Sequence, residues 1–151
     1  MQRISHIGSL LKRIYRIYSM ELITVLNERG FSDLRPSFLE ILTYICEEDG
    51  PSIRAIGLAC GLKKQTMTSH LNDLEKRGYI LKETSAQDRR EQKIFLTEYG
   101  QSFKFSLFEA ITQLEKHYSS RIGNVELERV ELTLDNFYQQ VCECPDQESF
   151  I

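Results

Sequence analysis

The chain has 151 residues, 41% of them hydrophobic and 27% charged, with a formal net charge of −3 at pH 7. This length allows one domain with a real hydrophobic core or two small intertwined units, and the composition is that of a globular protein. It contains no apolar run of the roughly 18 residues that a membrane-spanning helix needs, and its N-terminus lacks the apolar segment of a secretory signal. We therefore expect a cytoplasmic protein without a membrane partner.

Charge is unevenly distributed along the chain. Residues 52–93 contain nine Lys or Arg and five Asp or Glu, a net charge of +4, whereas residues 94–151 carry a net charge of −6. A basic segment within an acidic chain indicates that this segment meets an anion, such as a nucleic acid. A solvated basic surface would give the same pattern, so charge alone leaves both interpretations open.

Apolar residues at three- and four-residue spacing predict a long first helix over residues 3–29. One stripe comprises Ile4, Ile7, Leu11, Ile14, Tyr18, Leu22 and Val25, and a second comprises Leu10, Ile17 and Ile23. One stripe is enough to pack on the chain's own core, so the second predicts contact with another subunit. Pro36 suits the first turn of a second helix over residues 36–49.

A short helix, a tight turn and a longer helix follow. Ser52 is a natural N-cap for a helix over residues 53–60, and Gly61 allows the turn. The next helix spans residues 64–77, and Gly78 is placed to end it in a left-handed conformation. With a hairpin after it, this arrangement predicts a winged helix-turn-helix, whose second helix can enter the major groove of DNA.

The helix over residues 64–77 has an outer face suited to DNA. At about 100° per residue, an inward set of Met67, Leu71 and Leu74 places Gln65, Ser69, Asn72 and Lys76 outward, flanked by Thr66 and Thr68. Gln and Asn can form paired hydrogen bonds with an adenine edge. Lys63 and Lys64 add positive charge where the helix dipole already favours a phosphate. An ordinary solvated face would mix Glu with Lys, yet residues 63–72 contain no acidic residue.

A polar segment between two predicted strands, residues 79–84 and 93–96, is the second candidate DNA contact. It contains Arg89 and Arg90, which at a hairpin tip can reach the minor groove, where narrow A·T-rich stretches attract a guanidinium group. Asp88 has the same sign of charge as a phosphate, so we expect it to fix the loop through an arginine or loop amides. The alternative is an exposed loop with incidental charge.

Two long helices are predicted after the hairpin. Thr97 is expected to cap a helix that reaches about Arg121, and Asn124 to cap the last one. The last helix has an apolar stripe that we expect to face inward, formed by Leu127, Val130, Leu134, Phe137 and Val141.

An ordered set of short motifs between residues 52 and 100 resembles the MarR family of bacterial transcription regulators. The motifs are Ile56-Gly57, Gly61-Leu62, Leu74-Glu75-Lys76-Arg77-Gly78, Asp88-Arg89-Arg90 and Leu96-Thr97-Glu98-Tyr99-Gly100. The sequence departs from the family at Lys63, where a Ser or Thr cap is usual, and at Gly57, where Ala is usual. Both changes weaken the start or the interior of their helices slightly.

The resemblance implies a mainly α-helical protein with a small β-hairpin wing, forming a homodimer. Residues 36–96 would be the DNA-binding winged helix-turn-helix, and residues 1–35 with 97–151 the helical dimerisation region of one intertwined domain. The wing role falls on Asp88 and Arg90, and the groove role on the start of the helix over residues 64–77. With Ser52 at the start of the motif, these residues complete the predicted DNA-binding set. The family commonly represses transcription and responds to small molecules.

Other residues carry less information. Tyr15, Tyr18, Phe38 and Tyr44 either line an effector pocket or belong to the core. Cys142 and Cys144 leave a redox role open, or a metal role together with His117 and Glu115. No catalytic or phosphate-binding motif is present, so we expect neither an enzyme nor a cofactor.

The sequence therefore predicts a dimeric regulator that binds double-stranded DNA. Two recognition helices on one side of the duplex require a pseudo-palindromic operator with half-sites about 10 base pairs apart. The rival hypothesis is a winged helix that binds proteins and has lost DNA binding. RNA binding lacks support, because the strands offer no aromatic stacking platform.

Overall fold

A computed structural model describes residues 2–142, and this part of the chain is mainly helical with one antiparallel hairpin. The elements are α1 (Arg3–Glu28), α2 (Pro36–Glu47), α3 (Ile53–Cys60), α4 (Lys64–Lys76), β1 (Ile80–Thr84), β2 (Gln92–Leu96), α5 (Glu98–Ile122) and α6 (Asn124–Cys142). The predicted order of elements is confirmed, and every predicted boundary lies within two residues of the observed one. Within residues 2–142, no helix is long and apolar enough to cross a membrane.

Local chemistry sets the helix ends as predicted. Ser52 caps α3, because its Oγ accepts a 3.0 Å hydrogen bond from the amide of Ala55. Thr97 caps α5 in the same way, accepting a 3.0 Å hydrogen bond from the amide of Gly100. Gly61 and Gly78 end α3 and α4 with φ angles of 65° and 87°, a region that side chains with a Cβ rarely adopt.

The hydrophobic core lies where the C-terminal half of α1, the three helices α2 to α4, the hairpin and the N-terminal half of α5 meet. Its fully enclosed side chains include Leu22, Leu26, Phe38, Ile41, Leu42, Ile56, Met67, Leu71, Leu74, Tyr79, Phe103 and Leu107. Met67, Leu71 and Leu74 are the inner stripe predicted for α4. Since they are completely buried, the orientation of the opposite face of α4 is fixed by the core.

Two helical faces lie outside this core. On α1, residues such as Ile4, Ile14 and Ile17 are more than half exposed, and only the C-terminal half of the helix is buried. On α6, none of the described residues Asn124–Cys142 is buried. The expectation that its apolar stripe faces inward was wrong for most of the stripe in the single chain: Leu127 and Val130 border a groove beside α1 and α5, whereas Leu134, Phe137 and Val141 are exposed.

The hairpin is attached to the start of α3. Its strands pair from Ile80 with Leu96 to Thr84 with Gln92. On its other edge, the amide of Ile94 donates a 2.9 Å hydrogen bond to the carbonyl of Pro51, and Lys93 pairs with Ser52. The hairpin is therefore held between α4, which leads into β1, and the segment that begins α3.

Candidate nucleic-acid interface

The outer face of α4 is polar and open to solvent. Its exposed side chains are Gln65, Thr66, Thr68, Ser69, Asn72 and Lys76. Thr68 donates a 2.9 Å hydrogen bond from its hydroxyl to the carbonyl of Lys64, one turn earlier in its own helix. Because Met67 and Leu71 are locked in the core, the polar face projects outward as a rigid surface rather than a mobile one.

The start of α4 is positively charged. Lys63 and Lys64 are both exposed, and the first turn of the helix contains no acidic residue. Lys63 stands at the N-cap position without a side-chain hydrogen bond to the helix. The unpaired amide groups of the first turn and the two ammonium groups therefore act together on an approaching anion.

The wing loop is ordered by its own hydrogen bonds. Asp88 accepts a 2.9 Å bond from the amide of Arg90 through Oδ1, and its carbonyl accepts a 3.1 Å bond from the amide of Glu91. The amide of Ser85 in turn donates to the carbonyl of Glu91 across 2.9 Å. Asp88 thus bonds a loop amide, and the side chains of Arg89 and Arg90 are left exposed at the tip.

An open groove of about 970 Å³ brings the wing tip together with the two helices of the motif. Its lining comprises Ser52, Ile53, Arg54, Lys64, Thr68, Lys82, Asp88, Arg89, Arg90, Glu91 and Gln92. Five of these residues are cationic and two are anionic, so the groove attracts polyanions. Six of the twelve predicted residues therefore share one surface although they lie far apart in sequence: Ser52, Lys64, Thr68, Asp88, Arg89 and Arg90. Gln65, Ser69 and Asn72 lie on a neighbouring surface of α4 that also contains Lys64 and Thr68, whereas Lys63, Thr66 and Lys76 line neither.

Two cationic residues of this groove, Arg54 and Lys82, were missed by the sequence analysis. Arg54 is exposed two residues after the cap of α3, and Lys82 lies in β1. Alternation in β1 could have identified Lys82, because its neighbours Leu81 and Glu83 point to the other face of the hairpin. Arg54 could not be identified in this way, because it reaches the wing only through the pairing of β2 with residues 51–52.

A cluster beneath the interface supports the C-terminal end of α4. The guanidinium groups of Arg35 and Arg77 lie 4.2 and 5.1 Å from the ring centroid of Phe38. The ring of His70 meets Phe38 edge-on at 5.4 Å. His70 is partly buried on the inner side of the helix.

The four candidate effector residues have different surroundings. Tyr15 and Tyr18 lie together with ring centroids 6.3 Å apart, and burial raises the pKa of both phenols. Tyr44 is half-buried against the core, and Phe38 is completely enclosed in it. Binding at Phe38 would therefore require the core to open, whereas Tyr15 is accessible.

Cys46 is buried and Cys60 is half-buried in the helices around the core. Burial raises the pKa of Cys46 to about 12 and that of Cys60 to about 11, so both remain protonated at neutral pH. Within residues 2–142, no group of three or more His, Cys, Asp or Glu side chains is arranged to hold a metal ion. Cys144, for which the sequence left a redox or metal role open, lies outside the described residues.

Residues 32–91 match the sequence model of the MarR family. Over 69 residues the chain is 35% identical to the HTH-type transcriptional regulator TtmR of Methylorubrum extorquens strain PA1, covering 46% of this chain and 35% of that protein. Over 110 residues it is 26% identical to a Thauera aromatica protein that bears the name of a transcriptional regulatory protein for the hcr operon, covering 73% of this chain and 66% of that protein. The chain thus spans less than two thirds of the length of either relative.

The fold also matches a solved structure over nearly the whole chain. FabT of Streptococcus pneumoniae, crystallised in complex with DNA, superimposes with a TM-score of 0.73 at 23% identity, covering 91% of this chain and 96% of FabT. At this level of identity the similarity establishes a shared fold.

Proposed function

We propose that this chain, whose residues 32–91 match the MarR family of transcription regulators, is a dimeric, sequence-specific DNA-binding transcriptional regulator. The finer proposal is a ligand-responsive repressor that acts in the bacterial cytoplasm. The winged helix-turn-helix of residues 36–96 would contact DNA, and residues 1–35 with 97–151 would form the dimerisation region. The family match and the DNA-bound relative FabT support this proposal.

The groove between α4 and the wing is the single observation that carries the proposal. It brings Arg54, Lys64, Lys82 and the two wing arginines to one open surface beside the exposed polar face of α4. A recognition helix needs polar side chains for base edges and cations for the flanking phosphates. A surface without a partner is not expected to bring cationic side chains from α3, α4 and the hairpin together.

The arrangement suggests how the duplex is held. The exposed face of α4, with Gln65, Ser69 and Asn72, would lie in the major groove, where amide and hydroxyl groups read base edges. Ser52, Lys63 and Lys64 lie at helix starts, which favour phosphates. Arg89 and Arg90 would extend into the adjacent minor groove, in a loop that Asp88 holds in shape.

Dimer formation is supported by the apolar faces that the single chain leaves uncovered. The N-terminal half of α1 and the whole of α6 expose large apolar side chains, including Ile14, Ile17, Leu134 and Tyr138. Monomeric proteins rarely expose large contiguous apolar patches. A second copy packed on these helices would place two recognition helices on one side of a pseudo-palindromic operator.

An effector would act by changing the spacing of the two recognition helices. Tyr15 on α1 is the exposed candidate contact, with the half-buried Tyr18 beside it, and α1 links the proposed dimer interface to the core beneath the motif. A ligand that binds one arrangement of the dimer more tightly than the other shifts the population towards it. Repression would then be relieved by the ligand.

Duplex binding by the full chain tests the proposal. Sequences are selected from a random DNA pool, and the affinity for the selected duplex is measured by fluorescence anisotropy over a range of salt concentrations. We expect a pseudo-palindromic sequence and an affinity that falls steeply with salt, because bound cations release counterions from the phosphates. If no duplex binds even at low salt, the chain is instead a winged helix that binds proteins.

A further inference from the structure

A hydrogen bond joins the wing to the recognition helix. Nζ of Lys82, on β1, donates to Oδ1 of Asn72, on the outer face of α4. Asn72 lies on the polar surface with Lys64, Gln65, Thr68 and Ser69, and Lys82 lies in the groove that also contains Lys64 and Thr68. The bond is therefore located where the two surfaces of the proposed DNA interface meet.

The chemistry of lysine fixes the direction of the Asn72 amide. An ammonium group has three donors and no acceptor, so the amide atom that faces Lys82 is the oxygen and not the nitrogen. Since the amide is planar, its NH₂ group points away from Lys82. Asn72 is exposed, and the group it offers to a base is therefore a pair of hydrogen-bond donors.

This orientation changes which base Asn72 can read. The paired contact of Asn with adenine requires its oxygen to accept from the adenine amino group while its NH₂ donates to N7. In this structure the oxygen is engaged by a positive charge, which opposes the approach of another donor. Guanine presents two acceptors, O6 and N7, on the same edge, and it matches a contact that only donates.

We propose that Lys82 is a positioning residue that makes Asn72 a donor-only contact, and that the operator base read by Asn72 is guanine rather than adenine. This inference rests on the proposed DNA-binding function and deepens it. Lys82 itself also favours guanine, because an ammonium group can donate hydrogen bonds to O6 and N7 of guanine. Specificity at this base pair thus comes from a side chain of the wing acting through the recognition helix.

Base preference, rather than overall affinity, is the measurement that tests the inference. Sequences are selected with the wild-type chain and with Asn72→Ala, and the base pair at which Asn72→Ala loses its preference is the one that Asn72 reads. Two duplexes that carry G·C or A·T at that pair are then titrated with the wild type, Lys82→Met and Lys82→Arg. We expect the wild type to prefer guanine by at least about fivefold.

The variants separate positioning from simple charge. Lys82→Met frees the Asn72 oxygen, so we expect the preference to move to adenine, whereas Lys82→Arg keeps a donor and keeps guanine. Lys76→Met removes an equal charge from the same face of α4 and is expected to weaken binding to both duplexes equally. Circular dichroism and thermal unfolding verify that each variant is folded.

Three results overturn the inference. The first is a wild-type preference for adenine at the Asn72 base pair, or no base pair that depends on Asn72. The second is a Lys82→Met variant that binds both duplexes more weakly with the guanine preference intact, since Lys82 would then be a phosphate contact. The third is a chain that binds no duplex, which alone also rejects the proposed function.

Discussion

The hydroxyl of Tyr79 donates a 2.6 Å hydrogen bond to Oδ1 of Asp33, joining the hairpin to the loop before α2. Arg77, at the end of α4, contacts the other carboxylate oxygen of Asp33 at 3.1 Å. Partial burial opposes ionisation of this carboxylate, but the hydrogen bonds from Tyr79 and Arg77 outweigh it and lower the pKa of Asp33. The C-terminal end of α4 is thereby tied to the core by a charged group.

This contact predicts a pH-dependent contribution to stability. Because the pKa of Asp33 is lower in the folded chain than its ordinary value of 3.8, its stabilisation is fully present above about pH 4 and is lost as the pH falls through the folded pKa. Asp33→Asn should lower the free energy of unfolding at pH 7 by about 1 kcal/mol, a small value because the carboxylate is partly exposed. The difference from the wild type should shrink between pH 4 and pH 2.

Urea unfolding at several pH values measures this effect. Tyr79→Phe is the matched variant, because it keeps the buried ring and removes only the donor, and it should reproduce part of the loss at pH 7. A destabilisation by Asp33→Asn that is the same at every pH would contradict the role assigned to the ionised carboxylate.

A second prediction concerns the close contact between Gly100 and the hairpin. A Cβ added at Gly100, in the first turn of α5, would lie 2.1 Å from the carbonyl oxygen of Tyr79. That oxygen is held by a 3.1 Å hydrogen bond from the amide of Thr97, so the backbone cannot move away freely. Gly100→Ala should therefore reduce the free energy of unfolding by about 3 kcal/mol or more.

Gly8→Ala is the matched control for this substitution. Gly8 lies in α1, and in the single chain no atom lies within 4 Å of a Cβ added there. Because alanine favours the helix over glycine by about 1 kcal/mol, Gly8→Ala should leave stability unchanged or raise it. Thermal unfolding of the two variants under one condition measures the contrast, and equal effects would reject the steric explanation.

Local sequence patterns predict the helices, their caps and their inner faces. They do not predict the contacts between segments that are far apart in the chain. The periodicity of Met67, Leu71 and Leu74 was sufficient to orient α4, and Ser52 and Thr97 capped their helices as expected. The bond between Lys82 and Asn72 could not be predicted, because it depends on the tilt of the hairpin against α4. The exposure of the α6 stripe was missed because periodicity identifies an apolar face without identifying the surface that covers it.

A third prediction follows from that exposed stripe. Leu134 lies in the middle of α6 and is 42% exposed in the single chain. Leu134→Glu would bury a charge in the proposed dimer interface, so we expect the dimer to dissociate at concentrations at which the wild type remains associated. Gln139→Glu adds the same charge on the opposite side of α6 and should leave association unchanged. Sedimentation equilibrium distinguishes these outcomes, and a wild-type monomer would refute the dimer.

The last prediction concerns the wing arginines. Arg90 follows Asp88, which holds the loop through the Arg90 amide, so Arg90→Ala removes the guanidinium group without removing the bond that shapes the loop. We expect a loss of affinity on the order of tenfold for operators with A·T-rich flanks and a smaller loss for G·C-rich flanks, because narrow minor grooves attract guanidinium groups more strongly. The dependence of log affinity on log salt should decrease in slope by about 1.

Lys116→Ala, which removes an exposed cation from α5 outside the groove, is the matched control and should change neither the affinity nor the salt dependence. An Arg90→Ala variant that behaves like Lys116→Ala in anisotropy titrations at moderate salt would show that the wing does not contact DNA.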